Sequence, residues 1–250
     1  MTPGLFGMLI AAGIAAGLAG SIAGLASLFS YPALLAMGLP ATAANVTNTI
    51  SLAVSSLSSV ASSRPELVGQ APVLRRLAAI CALGGAAGAG LLLMTPSGVF
   101  QRLVPFLVGG ASIVLLARRK VSAELTAHAS GRPSTSVLLG VLAVAVYGGY
   151  FGAAAGVLML ALLLAALPQS LIRINALKNV LLGLANVIAA IGFALFGPVA
   201  WFAALPLTMG LVLGNWVGPA VARRLPERAL QIGIALAGLG LAVKLGLDAY

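Results

Sequence analysis

The stretch GGYFGAAAG, Gly148 to Gly156, lies in the middle of an apolar run that extends from 135 to 166, and how that run folds decides the architecture. A helix crosses the hydrocarbon core of a bilayer in about 20 residues, so the run is too long for one simple span. Glycine weakens a helix interior by roughly 0.5–1 kcal/mol relative to alanine and reaches backbone conformations closed to other residues. We therefore expect two shorter helices with a break at the glycines. The same pattern appears near the N-terminus, where GLAGSIAGLAS (17–27) divides the run 4–37. The expected breaks involve Gly20 and Gly24 in the first run, and Gly149, Gly152 and Gly156 in the second.

Only a membrane makes such runs tolerable. The chain has 250 residues, 61% hydrophobic and 7% charged, whereas a soluble domain carries about 25% charged residues to face water. The 31 glycines suit closely packed membrane helices, in which small residues let backbones approach. The alternating ten-residue segments of a β-barrel are absent. No Lys or Arg precedes the first run, which is too long for a signal-peptide core, so no cleaved signal is expected. Cys81 is the one cysteine, in an apolar segment, and reads as a packing residue with no disulfide or metal role. No cofactor is expected. Zinc-protease and serine-hydrolase motifs are missing, as are paired aspartates and His/Cys clusters, so an enzyme is not expected either.

The two divided runs are also copies. A shift of 128 superposes Gly20, Gly24, Leu34 and Pro40 on Gly148, Gly152, Leu162 and Pro168; a shift of 130 superposes Gly84, Gly88, Pro96 and Gln101 on Gly214, Gly218, Pro226 and Gln231. We read a tandem repeat, 1–117 and 135–250, joined by a polar linker at 118–134 that contains His128. If each divided run enters the membrane and returns to the same face, twelve of the 14 basic residues lie on one side and only Arg102 and Lys244 on the other. That partition fits the positive-inside rule. It also accounts for the net charge of +10 without nucleic acid. Three further crossings per repeat make the repeats inverted. The expected fold is thus an all-α integral membrane protein of two inverted repeats, each a glycine-broken helical hairpin plus three transmembrane helices. The linker is expected in the cytoplasm of a plasma (inner) membrane protein, and both termini outside.

Inverted repeats with interrupted helices build many secondary transporters, whose sites lie near the midplane at the repeat interface. Directly after the second hairpin comes NALKNVLLGLAN (175–186), where Asn175, Asn179 and Asn186 share one helix face with Lys178 beside them. A charge at the bilayer centre costs roughly 2.5–3.5 kcal/mol on insertion scales, so it is retained where it faces a cavity or a partner. Its repeat mate carries a stripe of Asn45, Asn48, Thr49, Ser55, Ser56, Ser59 and Ser62. All four acids, Glu66, Glu124, Glu227 and Asp248, fall at loops or ends, so Lys178 and Arg173 leave positive charge that suits an anion. The competing explanation is that both cations snorkel to the interface and that the Asn and Ser residues are interhelical glue.

Several motifs together resemble the sulfite exporter TauE/SafE family. These are YPALLAMGLP (31–40), GGYFGAAAGVLMLALLLAALP (148–168), the R-x-N-A-x-K-N that follows, and LGNWVGPAVARRLP (213–226). The resemblance covers nearly the whole chain. It implies a plasma-membrane transporter, an exporter of sulfite, sulfonates or related organosulfur anions. By matching position it implies substrate recognition by Asn175, Lys178 and Asn179, with Asn45, Thr47, Asn48 and Ser51 opposite. The family tends to carry a denser G-x-G-G-G run in each hairpin, where this chain has GLASLF and GAAAG. Fewer glycines leave fewer positions free to adopt positive φ and turn amides to an anion. Expected partners are a small anion and the lipid bilayer, with a homodimer left open. A non-transporting scaffold or assembly protein, or an anion channel, remains the alternative.

Overall fold

A computed structural model describes residues 2–126, 135–222, 232, 236 and 239–247. Among these all the regular structure is helical, with no strand. The order is α1 Pro3–Ala23, α2 Ser27–Ala36, α3 Ala41–Ser62, a 3-10 turn at Arg64–Leu67, α4 Ala71–Met94, α5 Ser97–Thr126, α6 Thr135–Tyr150, α7 Ala155–Ala166, α8 Leu171–Phe196 and α9 Trp201–Ala222. Residues 239–247 form a terminal helical segment. Within α1, α4, α5 and α8, four stretches are long and apolar enough to cross a bilayer: Pro3–Ser21, Ala71–Met94, Ser97–Val114 and Leu171–Phe196. The protein is a helical membrane protein. Helix α3 is long enough to join them at 22 residues, but its Asn, Thr and Ser residues lower its hydropathy. It is sheltered by protein instead, with residues 44–51 all buried.

Local signals explain the helix ends. Thr2 caps α1 by accepting from the Leu5 amide at 3.4 Å, and Pro3 occupies the first turn, where its missing N–H costs nothing. Helix α1 stops at Gly24, which takes φ 72° while its N–H reaches Gly20 O at 2.8 Å. Pro40 separates α2 from α3, and Pro72 opens α4. Between α6 and α7 the chain reverses through Gly152 at φ 75° and Ala154 at φ 57°. Of the five glycines expected at the breaks, only Gly24 and Gly152 have positive φ; Gly20, Gly149 and Gly156 are helical and serve close packing.

The expected linker begins inside a helix. Residues 118–126 continue α5, so a boundary at 117 falls within that element, while 127–134 lie outside the described residues. Pro226 and Gln231 of the repeat match, His128, Arg132 and the basic residues 223, 224 and 228 lie outside them as well.

Small residues set the main helix pairings. Gly13 and Gly17 of α1 press on the backbone of α9 so closely that a Cβ at either would stand 2.5 Å from Leu207 O or Leu211 O. Helices α4 and α6 pack in the same way through Gly84, Gly85 and Gly88 against Ala145 and Gly149. Each pair runs parallel, since 13 and 17 meet 210 and 214, and 84 and 88 meet 145 and 149. Without a hydrophobic drive between helices in lipid, such backbone approach supplies the dispersion contacts that hold them. Helix α3 runs antiparallel to α8. Near its start the Ala200 amide donates to Thr47 Oγ1 at 3.0 Å, and near its end Asn179 Nδ2 reaches Ser63 Oγ at 3.5 Å. Reciprocal bonds between Gln70 and Gln169, 2.9 and 3.1 Å, tie the connection before α4 to the connection before α8. Cys81 is fully buried beside Val141, Ala145 and Leu177, as a packing residue would be.

Candidate functional site

The two chain reversals meet. A Cβ on Gly156, in the first turn of α7, would lie 2.7 Å from Gly24 O and 2.8 Å from Gly24 Cα. Around this contact is a cavity of about 110 Å³. Both reversals line it, with the inner faces of α3 and α8 and with Asn215 of α9.

Short helices α2 and α7 both begin here. Ser27 is the first residue of α2, Ala155 and Gly156 the first two of α7, and all three line the cavity. Neither helix has a side-chain cap. Leu28 and Phe29 of α2 donate to Leu25 O and Ala26 O, and Ala155 and Val157 of α7 donate to Gly152 O and Ala154 O, so what each start brings to the cavity is chiefly the positive end of its helix dipole. Two such ends on one small cavity favour a negative occupant.

Lys178 supplies a full charge. It is the eighth residue of α8, only 3% exposed, and lines the cavity with Nζ 3.4 Å from where a side chain at Gly24 would begin. The ammonium thus reaches the first reversal and is enclosed by protein. Among the described residues no acid lines the cavity. Asn179 and Asn186 line it from the same helix, and Thr49, Ser55, Ser56 and Ser59 line it from α3. Asn215 is 9% exposed and donates to Ser55 O at 3.4 Å, which couples α9 to the cavity wall.

The other expected site residues stand elsewhere. Asn45 donates to Tyr150 O at 2.8 Å; Thr47 accepts from Ala200; Asn48 Oδ1 accepts from Ser30 Oγ; Ser51 donates to Thr47 O and Ala204 O at 3.0 and 3.3 Å. All four are fully buried, and none lines the cavity. Their bonds hold α3 against α2, α9 and the second reversal. Arg173 is exposed in the first turn of α8, and Asn175 is partly buried one turn before Asn179; neither lines the cavity. Ser27 and Asn215 do line it but were not among the expected residues. Each was visible only as a lone polar group in an apolar segment.

Ala154 answers the shortage of glycines. It is the only non-glycine with positive φ among the described residues, and it is 1% exposed. An L-residue in this conformation costs roughly 1–2 kcal/mol, and such strain concentrates at sites the fold over-determines. Here Tyr147 OH donates to Ala153 O at 2.7 Å and pins the reversal. GAAAG therefore makes the turn that a glycine-rich run would make at less cost.

No curated protein and no solved structure matches the chain. A family match does exist, and it spans residues 9–245, from the second turn of α1 through the terminal helical segment, taking in both reversals and Lys178. The chain belongs to the sulfite exporter TauE/SafE family, a family of membrane transporters.

Proposed function

We propose that the protein is a secondary transporter that exports small sulfur-containing anions, such as sulfite or organosulfonates, by alternating access at the interface of two inverted repeats. The observation that carries this reading is the convergence of buried Lys178 with the starts of α2 and α7 on one small cavity. Lys178 attracts the anion, and Asn179 and Asn186 orient its oxygens through their amide donors. Ser27, Thr49, Ser55 and Asn215 complete the donor set. Asn45, Thr47, Asn48 and Ser51 act by holding α3, and Arg173 and Asn175 lie on the approach along α8. A negative-inside potential drives anion exit by about 2.3 kcal/mol per charge per 100 mV.

Support for the inverted repeats comes from the packing. Under the shifts of 128 and 130, the contact of Gly17 with Gly214 becomes the contact of Ala145 with Gly84, and both contacts exist. Equivalent pairs cross-connect the halves, as expected of two repeats arranged pseudo-symmetrically around the cavity. Proteoliposomes test the function. Saturable, counterflow-competent uptake of radiolabelled sulfite or sulfoacetate is expected; flux that never saturates would identify a channel, and no flux of any organosulfur anion would leave a scaffold.

The orientation is tested separately. The Gln70–Gln169 bonds bring the connection bearing Arg64 and the starts of α4 and α8, with Arg75 and Arg173, to one face, which supports placing the basic side in the cytoplasm. With Cys81 replaced, a cysteine at Leu125 should resist an impermeant maleimide added to intact cells, whereas one at Thr2 should react. The reverse pattern would invert the topology.

A further inference from the structure

A second cavity, of about 200 Å³, lies between α2, the starts of α3 and α5, and Leu245 of the terminal segment. Tyr31 of α2 lines it, is only 2% exposed, and has a hydroxyl with no hydrogen-bond partner. Thr42 Oγ1, on the same cavity, is likewise buried and without a partner. A buried hydroxyl left unsatisfied is costly and uncommon, so a pair of them on one cavity marks a place where something polar binds.

The surrounding helices give that ligand its sign. Pro40 is the N-cap of α3, a 22-residue helix with no side-chain cap, and Ala41 and Thr42 are its first two residues; all three line the cavity. Ser97 opens the 30-residue α5 and lines it too, with Gln101 one turn further on. The cavity thus faces the positive ends of two long helices, with hydroxyl and amide donors added. No charged residue lines it among those described. Arg102 follows Gln101 and Lys244 precedes Leu245, and both are exposed. These are the two cations that the hairpin topology leaves on the face opposite the other twelve. At this position they set an attractive field for anions beside the second cavity.

An aromatic wall divides this cavity from the central one. Phe151 lines the central cavity and Tyr31 the second, and their rings meet edge to face at 5.2 Å and 83°. Phe100 packs on Phe151 at 6.1 Å.

We propose that the second cavity is a low-affinity oxyanion site, a station for the transported anion between the central cavity and the extracytoplasmic face, with the Tyr31–Phe151 pair as the partition it passes. The inference rests on the transport function proposed for the central site. The lack of a lysine suits it, because a station near the exit must bind weakly enough to release.

Equilibrium dialysis of the full chain in detergent against radiolabelled sulfite and sulfoacetate tests it. The wild type is expected to show two classes of site. Lys178→Met should lose the tighter class and keep the weaker. Tyr31→Phe and Tyr31→Phe/Thr42→Val should keep the tighter class and weaken the other, by about tenfold for each hydrogen bond to the anion that is lost. Tyr31→Phe deletes one orphaned oxygen, so its Tm should hold or rise, and it carries the test alone if the double variant is unstable. A single class in the wild type, or a weaker class indifferent to Tyr31→Phe, overturns the second site and leaves the central one standing. Absence of binding by the wild type overturns both.

Discussion

Lys178→Met is expected to abolish or greatly weaken anion flux while the protein keeps or gains thermal stability. Methionine preserves the apolar stem, so no large void opens among the residues that bury Lys178 to 3% exposure. It removes a charge that costs roughly 2.5–3.5 kcal/mol at the bilayer centre, a gain set against the polar contacts the ammonium makes. It also removes the one cation lining the central cavity among the described residues. A hydrogen bond to a charged group contributes about 1.5–3 kcal/mol, so half-saturation should rise by roughly tenfold to a hundredfold before any loss of rate. Lys178→Arg should retain binding better than transport, because the planar fork holds an oxyanion but exceeds the space beside Gly24. Normal flux and unchanged half-saturation in Lys178→Met, measured in proteoliposomes with Tm in parallel, would show that the lysine has no part in recognition.

Gly156→Ala is expected to stop transport through the backbone. The added methyl would stand 2.7 Å from Gly24 O and 2.8 Å from Gly24 Cα. Both are main-chain atoms, so no rotamer change relieves the overlap and the two reversals must part. Overpacking of this kind costs about 1–3 kcal/mol, and here the displacement falls on the cavity that carries the starts of α2 and α7. Half-saturation should therefore worsen along with Tm. Two comparisons separate the effects. Gly17→Ala strikes α9 through Leu211 O and Asn215 N, so it should lower Tm at the α1–α9 seam. Gly110→Ala meets nothing within 4 Å and should be silent or slightly stabilising. If Gly156→Ala behaves like Gly110→Ala in both flux and Tm, the contact between the reversals does not shape the site.

Composition alone determined that the chain is a bundle of membrane helices, because 7% charged residues cannot cover a water-facing surface. The glycines at 24 and 152 were legible as breaks, since a run too long for one span must turn, and glycine turns at least cost. Lys178 was legible as a candidate, because a charge in lipid needs a reason. Which side of α3 faces the cavity was not legible. Hydrophobic periodicity reveals a face only when one side of a helix meets a different solvent, and residues 44–51 of α3 meet protein on every side. Polar residues therefore surround its first half. Only the packing of α2, α6, α8 and α9 around α3 assigns Thr49, Ser55, Ser56 and Ser59 to the cavity, and Asn45, Thr47, Asn48 and Ser51 to holding helices together. Ala154 makes the same point about the backbone. Local preference requires glycine at positive φ, yet the tertiary contacts of the second reversal hold an alanine there at φ 57°. The tertiary structure can impose that cost because the surrounding helices fix the chain on both sides of the turn.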